Sequence, residues 1–148
     1  MTDCIFCRII SGNLPSSLVL RDEQCVAFMD LQPVNSGHVL VVPLSHAADL
    51  SVLDASTAGH LMIVAQRIAA ALRASPLRCE GVNLLLADGE AAGQEVFHVH
   101  LHVVPRYPGD GFGFRFGPDY GKPPAREELD LAAMQLRGAL AHAAAIEQ

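Results

Sequence analysis

The chain has 148 residues, the length of a single domain, and 51% of them are hydrophobic, which excludes a disordered chain. A formal net charge of -6 argues against a protein that binds polynucleotides, because such proteins usually carry a basic excess. No apolar stretch approaches the ~20 residues of a membrane-spanning helix, and Asp3 precedes any apolar run with no basic segment before it, so we expect a cytoplasmic protein without a secretory signal.

Helices and strands are predicted in the order α, β, β, β, α, β, β, α. Gly12 and Pro15 end the first helix, and Pro43 and Pro105 each stop a strand. In the main helix the apolar residues recur at helical spacing. Antiparallel hairpins with added helices indicate an α+β fold rather than a parallel βαβ stack. In chain order the predicted ranges are 4–11, 17–21, 25–30, 38–42, 55–74, 81–86, 97–104 and 126–145.

Three of the seven histidines, His98, His100 and His102, lie in one stretch of five residues on a predicted strand. Successive side chains of a strand point to opposite faces, so the three would line one face ~6.5–7 Å apart while Val and Leu between them anchor in the core. A half-exposed polar face is the plain alternative, but Thr, Ser or Lys would serve such a face equally well. Imidazole can in addition act as a nucleophile, a metal ligand or a proton carrier near neutral pH.

Two kinds of chemistry could use this histidine run. All three imidazoles could bind one metal ion, as in zinc hydrolases, or they could divide the roles of nucleophile, polarising group and structural group. On a straight strand the outer imidazoles start ~13–14 Å apart, whereas each metal–nitrogen bond is only ~2.0–2.1 Å long. The spacing therefore favours divided roles.

Cys4 and Cys7 form a Cys-x-x-Cys pair, which in a cytosolic chain indicates metal or redox chemistry rather than a disulfide. His46 supplies a third candidate ligand for a metal. Two reduced thiols in a helix are the plain alternative.

Several motifs occur together in the order and spacing of one known family. They are Cys-Ile-Phe-Cys-Arg-Ile-Ile-Ser-Gly, Ala-Phe-Met-Asp-Leu-Gln-Pro, Gly-His-Val-Leu-Val-Val-Pro, Ala-Gly-Gln-Glu-Val-Phe and the His-x-His-x-His run followed by two apolar residues. With these motifs residues 4–107 resemble the histidine triad (HIT) superfamily of nucleotide hydrolases and transferases, in particular its bacterial branch of nucleotide phosphoramidases and dinucleoside polyphosphate hydrolases. The resemblance implies one HIT-like domain over 1–148, with its core at 4–107 and a C-terminal loop and helix at 108–148. Its α+β fold would have an antiparallel sheet of about five strands, one main helix, a short N-terminal helix and a C-terminal helix.

The resemblance also implies a mechanism. His100 would attack the α-phosphorus of a purine nucleotide to give a covalent nucleotidyl-histidine that water later hydrolyses, and His102 would donate to a phosphate oxygen. His38 matches a histidine that supports the triad, although a satisfied buried histidine is its plain alternative. The substrate would be a nucleoside phosphoramidate, an aminoacyl adenylate or a dinucleoside polyphosphate, and the sequence does not separate adenine from guanine. The implied catalytic set is His38, Gln94, Glu95, His98, His100 and His102.

The loop with Gly93 and Gln94 would lie over the phosphates, and two positions near it depart from the family pattern. Glu95 stands where relatives often have Ser or Thr, and it could act as a general acid on a basic leaving group or point to solvent. Ala87 stands where relatives frequently have Asn, so an amide contact to phosphate is not expected there.

A nucleoside pocket, a zinc site and a dimer follow from the same resemblance. Asp30 would accept hydrogen bonds from both ribose hydroxyls, although a turn carboxylate is the common use of Asp at a strand end. A structural zinc, not required for the chemistry, would be bound by Cys4, Cys7, His46 and His98. A homodimer would form across the main helix and the sheet. The apolar slot for the base would consist of Ile5, Phe6, Ile9, Phe28, Met29, Leu31 and Leu40.

Two alternatives remain open at this point. The first is a nucleotide-binding or interaction module without catalysis, and the second is a zinc-dependent hydrolase that uses the triad histidines as ligands.

Overall fold

The computed structural model describes the backbone of residues 4–146 and the side chains of residues 4–143; Asp3 therefore lies outside the described part. The predicted α+β fold is confirmed: the chain has a five-stranded antiparallel sheet, a main helix, a short N-terminal helix and a C-terminal helix. The elements are α1 (Ile5–Ile10), β1 (Leu18–Arg21), β2 (Cys25–Met29), β3 (Val39–Pro43), α2 (Ala55–Ala74), β4 (Gly81–Leu85), a short 3₁₀ helix (Glu90–Ala92), β5 (Leu101–Arg106) and α3 (Arg126–Ile146).

The sheet has the strand order β1-β2-β3-β5-β4, so β3 and β5 lie at its centre. Leu40 on β3 pairs with Phe28 on β2 and with His102 on β5. Because directly paired residues share a face, the His102 side chain lies on the same face as Phe28 and Leu40. The register thus brings the end of the histidine run to the middle of one sheet face.

The two faces of the sheet are covered by different helices. On one face, α2 buries Leu61, Val64 and Ile68 in a cluster that includes Val41 and Val103. Each such fully buried side chain stabilises the fold by ~1.5–3 kcal/mol. Asp54 caps the helix by accepting the Thr57 N–H at 2.9 Å.

On the other face, Phe6 of α1 packs with Val26, Phe28, Leu40 and Val42. Strands β2 and β3 therefore alternate between the two clusters, as the period of a strand requires.

The predicted strand over residues 97–104 is wrong at its start, because β5 begins at Leu101. The last pair between β3 and β5 joins Val41 to Leu101, and the Val99 N–H donates instead to the Ala47 carbonyl at 2.8 Å. The histidine run therefore enters the sheet from an irregular segment. Val99, Leu101 and Val103 still lie in the core on the α2 face, as the alternation predicts.

Of the two prolines that were expected to stop strands, one ends its strand and the other lies inside its strand. Pro43 is the last residue of β3, and Pro105 lies within β5. Pro43 pairs with Cys25 and Pro105 with Val82, both outside the β3–β5 ladder. Each proline thus sits where its strand has one neighbour, so the missing N–H does not interrupt a central ladder.

The chain divides into two compact units, one ending at Phe112 and one beginning at Gly113. The second unit contains α3 and an aromatic group in which Phe116 and Tyr120 stack with ring centroids 3.7 Å apart. One domain over residues 1–148 stays a prediction. None of the helices in the described range 4–146 is long and apolar enough to cross a membrane.

Candidate active site

A cavity of about 450 Å³ opens on the α1 face of the sheet, and most of the predicted site residues line it. Its apolar wall comes from α1, β2 and β3, and its polar end comes from the histidine run and the loop before it. The predicted residues in the lining are Ile5, Phe6, Ile9, Phe28, Met29, Asp30, Leu31, His38, Leu40, Gly93, Glu95, His100 and His102. The lining also includes Pro15, Ser16, Gln32 and Val96, which were not among the predicted site residues.

His98 is fully buried, and both of its ring nitrogens are committed. Its Nε2 lies 2.9 Å from the Pro43 carbonyl, which can only accept, so Nε2 carries the proton. Burial lowers the pKa of His98, which keeps the ring neutral at pH 7. Nδ1 then has a lone pair, and it points at Cys4 and Cys7, with sulfur atoms 3.4 and 3.6 Å away.

His100 has the opposite arrangement. Its Nδ1 lies 2.8 Å from the His98 carbonyl and donates to it, which leaves the lone pair on Nε2. The edge of Phe6 packs against the ring at a centroid distance of 5.1 Å, and only 6% of the residue is exposed. The His98 carbonyl therefore holds a ring proton on Nδ1 and leaves Nε2 as the available nitrogen at the cavity wall.

His38 and His102 form a relay that starts at a backbone amide. The Val34 N–H donates to His38 Nδ1 at 3.1 Å, so the proton of neutral His38 lies on Nε2. His38 Nε2 is 2.9 Å from His102 Nδ1 and donates to it. His102 must then carry its own proton on Nε2, as a hydrogen-bond donor. We call the chain from the Val34 N–H through His38 to His102 the histidine relay.

Burial keeps the histidine relay neutral. Burial first, and then the nearby His100 and His38, lower the pKa of His102 to about 4 against the opposing charge of Asp30. Burial likewise lowers the pKa of His38 against the opposing charge of Asp30. At pH 7 both rings are uncharged, so the assignment of one proton to each ring holds.

Asp30 lies at the end of β2, where its two carboxylate oxygens have different surroundings. Oδ1 accepts the Gln32 N–H at 2.8 Å, which is the turn role expected of Asp at a strand end. Oδ2 lies 3.5 Å from His38 Nε2 and 4.0 Å from His102 Nδ1. The side chain is 18% exposed and lines the cavity, so Oδ2 can accept from a ligand.

The loop before the histidine run is held by Gln94, which is 3% exposed. Its amide donates to the carbonyls of Ala48 and Val96, and its carbonyl accepts the Gly89 N–H. Gln94 therefore bonds to the protein backbone, whereas Gly93 and the exposed Glu95 lie at the cavity.

Cys4, Cys7, His46 and His98 bring four metal-binding atoms within 4.8 Å of one another. His46 Nδ1 lies 3.3 Å from His98 Nδ1 and 3.4 Å from the Cys7 sulfur. Tetrahedral zinc ligands with bonds of ~2.0–2.1 Å to nitrogen and ~2.3 Å to sulfur lie roughly 3.3–3.8 Å apart. The Pro43 carbonyl fixes the ligating tautomer of His98, as outer-sphere partners do in metal sites. These four residues fit a closed zinc site.

Two other sets of side chains have metal-ligand spacing. One is Asp30, His38 and His102, and the other is Asp22, Cys25 and His60. In the second set, burial raises the pKa of the Cys25 thiol to about 12, while His60 pairs with Asp22 at 2.7 Å.

The triad histidines are thus divided between different surroundings. His98 belongs to the set with Cys4 and Cys7, and His102 belongs to the set with Asp30. His100 belongs to none of the sets found within residues 4–146.

Partners that are backbone atoms could not be anticipated from the sequence. The Pro43 carbonyl, the His98 carbonyl and the Val34 N–H decide which nitrogen of each histidine carries the proton. Residue identity leaves no signal for such contacts, because every residue except proline offers the same groups.

Residues 11–109 match the family model described as HIT domain. An uncharacterized HIT-like protein of Borreliella burgdorferi is 44% identical over 118 residues, which cover 79% of this chain and 85% of that protein. A Zn-bound histidine triad family protein from Mycobacterium smegmatis has a similar structure, with a TM-score of 0.73 and 42% identity over 93% of this chain and 97% of that one. A histidine triad nucleotide-binding protein from Candida albicans gives a TM-score of 0.84 at 29% identity, covering 95% of this chain and 99% of that one.

Proposed function

The chain belongs to the HIT family, and from this membership and the geometry of the site we propose that it is a nucleotide hydrolase or transferase. It would cleave the bond between the α-phosphate of a purine nucleotide and its leaving group. The substrate would be a nucleoside phosphoramidate, an aminoacyl adenylate or a dinucleoside polyphosphate. The observation that carries the proposal is the fixed tautomer of His100, which leaves the Nε2 lone pair at the wall of the cavity.

The cavity has the composition that a nucleoside needs. The wall from Phe6, Phe28 and Leu40 offers an apolar slot for the base, and Asp30 Oδ2 offers an acceptor for the ribose hydroxyls. The Candida albicans relative described as nucleotide-binding supports a nucleotide as the ligand.

The proposed reaction has two displacements at phosphorus. In the first, the lone pair of His100 Nε2 forms an N–P bond while the bond from phosphorus to the leaving group breaks, and the leaving group takes the bonding pair and a proton. In the second, a water oxygen attacks phosphorus, the N–P bond breaks and its electron pair returns to Nε2. The nucleoside monophosphate leaves with the hydroxyl of that water. The other proton of the water replaces the proton that left with the leaving group in the first displacement. Two easier displacements replace one difficult displacement.

His102 would stabilise the charge on the phosphate during both displacements. The histidine relay leaves the His102 proton on Nε2, so this nitrogen donates to a phosphate oxygen. A donor fixed before the substrate arrives needs no reorganisation when charge develops. The burial that lowers the pKa of His102 to about 4 makes it a neutral donor at pH 7.

The charge of Glu95 affects which leaving groups the site favours. Its side chain is exposed and lines the cavity on the loop next to Gly93. A carboxylate in that place attracts a leaving group that departs as an amine and repels one that departs as a polyphosphate. Among the proposed substrates this favours a phosphoramidate, and Glu95 would act as the general acid for the departing nitrogen only while its carboxyl carries a proton.

We further propose that Cys4, Cys7, His46 and His98 hold a structural zinc ion. The ligand distances fit tetrahedral zinc, and the Mycobacterium smegmatis relative is described as Zn-bound. The four ligands would close the coordination sphere, so the ion would tie α1 to the segment before β5 and leave the chemistry to the histidines. His98 would act as a ligand only.

A homodimer is proposed on the face formed by α2 and the edge strand β4. Met62 and Ile63 are 51% and 55% exposed, and Leu84 on the neighbouring strand is 37% exposed. These residues line one shallow cavity together with Val82. An apolar patch beside an unpaired sheet edge is suited to a second copy of the same chain. Size-exclusion chromatography with light scattering tests this, and a Met62→Glu, Ile63→Glu double variant should be monomeric.

The test of the proposed function is nucleoside monophosphate release from adenosine 5′-phosphoramidate and from a diadenosine polyphosphate, in buffer with a metal chelator. Wild type should release AMP, and His100→Ala should not. If the folded wild type binds AMP but releases none from either substrate, the protein is a binding module rather than a hydrolase. If His100→Ala loses zinc as well as activity, the triad is a metal site and the covalent mechanism is wrong.

A further inference from the structure

The loop between β2 and β3 (residues 30–38) carries the amide on which the histidine relay depends. The Val34 N–H donates to His38 Nδ1 at 3.1 Å. The next residue, Asn35, is 7% exposed and turns away from the cavity toward the end of β5. Its Nδ2 donates to the Pro105 carbonyl at 2.9 Å and to Asp110 Oδ2 at 2.8 Å. Asn35 is thus the side chain that joins this loop to the segment after β5.

Asp110 is a rigid anchor for Asn35. Its carboxylate receives Arg106 Nε at 2.6 Å and Arg106 Nη2 at 2.8 Å, and its side chain is 3% exposed. The Tyr107 and Phe112 amides also donate to it. The Arg106 guanidinium holds the pKa of Asp110 well below its usual range, so the anchor is charged at neutral pH. We call Asn35, Asp110 and Arg106 the loop anchor.

A close backbone contact holds the same loop at a second point. Gly37 has φ +98°, and a Cβ there would lie 3.0 Å from Leu72 Cδ2 and 3.3 Å from Pro105 Cγ. Only glycine fits such a conformation at such a distance. The Val34 amide is therefore positioned by residues that do not line the cavity.

The Val34 amide decides the direction of the hydrogen bond between His38 and His102. That bond is equally satisfied when His38 donates to His102 and when His102 donates to His38, because both rings are neutral and each has one proton. In the first case His102 presents an N–H at its Nε2. In the second it presents a lone pair, which repels phosphate. A backbone N–H facing His38 Nδ1 permits only the first case.

Asp30 does not settle the direction by itself. Its Oδ2 is 3.5 Å from His38 Nε2, which favours a proton on that nitrogen, and 4.0 Å from His102 Nδ1, which favours the reverse. Both distances exceed a normal hydrogen bond. The Val34 N–H is the contact of hydrogen-bond length and fixed polarity at the start of the histidine relay.

We propose that Asn35, held by Asp110, is a positioning residue for His102: it keeps the Val34 N–H on His38 and thereby keeps the His102 proton on Nε2, facing the phosphate. The link to phosphate rests on the proposed function, whereas the link from Asn35 to the two tautomers does not. Asn35 touches no substrate in this arrangement and acts through the loop.

The tautomers can be read by NMR on protein labelled with ¹⁵N-histidine at pH 7.5, because the two ring nitrogens of a neutral histidine differ strongly in shift. The variants are Asn35→Ala and Asp110→Asn, which turns one of the two acceptor oxygens of the anchor carboxylate into a donor and removes its charge. Asn83→Ala is the matched control: Asn83 accepts from Arg106 on its other side, so this change weakens the Arg106 contacts and leaves Asn35 and Asp110 bonded. Melting temperatures and AMP release are measured on all four proteins.

Wild type and Asn83→Ala should show both His38 and His102 protonated on Nε2. Asn35→Ala should show a mixture of tautomers at both rings. Asp110→Asn should show the same mixture, and it provides the test if Asn35→Ala does not fold. In the two anchor variants kcat should fall ~10-fold with KM within ~2-fold, a fraction of the ~10²–10³-fold cost of losing such a donor outright. Asn83→Ala should keep the wild-type kcat even if its melting temperature is lower than that of wild type.

Unchanged Nε2 tautomers in both folded anchor variants would overturn the proposal, whatever happens to kcat. Mixed tautomers in the Asn83→Ala control would also overturn it, because the effect would then follow general loosening. If wild type releases no AMP while the tautomers shift as expected, the proposed function fails and the role of Asn35 stands. If AMP release is normal in wild type and the tautomers do not shift, the role of Asn35 fails alone.

Discussion

His98 and His100 are two residues apart in one short run, yet they differ in almost every physical respect. His98 donates through Nε2 to Pro43 and points its Nδ1 lone pair at two cysteines. His100 donates through Nδ1 to the His98 carbonyl and leaves Nε2 available at the cavity. A neutral ring has one donor and one acceptor. The backbone carbonyl that accepts the hydrogen bond from the ring N–H therefore decides which ring nitrogen keeps the lone pair, and so whether that lone pair faces the cysteines or the cavity.

Losing the proposed nucleophile should have the largest effect. In His100→Ala we expect kcat for AMP release to fall ~10⁴-fold or more, on the scale of other lost nucleophiles. Zinc content should stay at the wild-type value, because His100 belongs to none of the metal-ligand sets within residues 4–146. The checks are steady-state kinetics and zinc analysis on the same preparation. Residual activity within tenfold of wild type would assign the nucleophile elsewhere.

His102 should be next in size. His102→Ala removes the donor at the end of the histidine relay, and we expect kcat to fall ~10²–10³-fold with KM little changed. The reason is that a donor to the developing charge acts in the transition state rather than on the bound substrate. A change confined to KM would show that His102 only binds the nucleotide.

Substitution of a zinc ligand should lower stability and largely keep activity, whereas the substitutions at the cavity lower activity. Cys7→Ser should lose the zinc ion and lower the melting temperature by at least ~5 °C, because Cys7 lies within 3.4 Å of His46 and 3.6 Å of His98 at the junction of α1 with the segment before β5. AMP release should stay within ~10-fold of wild type at a temperature where both proteins are folded. Cys25→Ser, at the buried thiol on the other face of the sheet, is a control that should keep its zinc.

The smallest expected effect is the pH dependence of stability. Burial lowers the pKa of His102 from 6.5 to about 4 and lowers that of His38. Between these pH values the unfolded chain binds more protons than the folded one, so the free energy of unfolding should fall as pH drops from 6.5 to about 4. One such proton is worth at most ~1.4 kcal/mol per pH unit, and less for His102 because its side chain is partly exposed.

Urea unfolding at pH 7.5, 5.5 and 4.5 measures this slope. Metal-free Cys7→Ser is the suitable background, because loss of zinc in acid then adds nothing. His102→Gln in that background should flatten the slope, whereas His142→Gln, at an exposed position of α3, should not. An equal slope in all three proteins would show that other groups govern the acid response.

Several features of the candidate site could be predicted from residue order. Alternation placed the three histidines opposite Val99, Leu101 and Val103, and these residues do lie in the core. The strand itself starts four residues later than expected, because pairing with β3 ends at Leu101. Periodicity reports which way side chains point, but it does not report where a partner strand stops.

The sequence by itself determined the α+β class, the position of the main helix and the family, because periodic burial and motif spacing are written in residue types. The tertiary structure alone decided which nitrogen of each histidine holds a proton and that Asn35 reaches Asp110 across 75 positions of the chain. The physical reason is that these features depend on single hydrogen bonds to backbone groups or to distant side chains. Such partners meet only once the sheet has formed, and no local pattern records them.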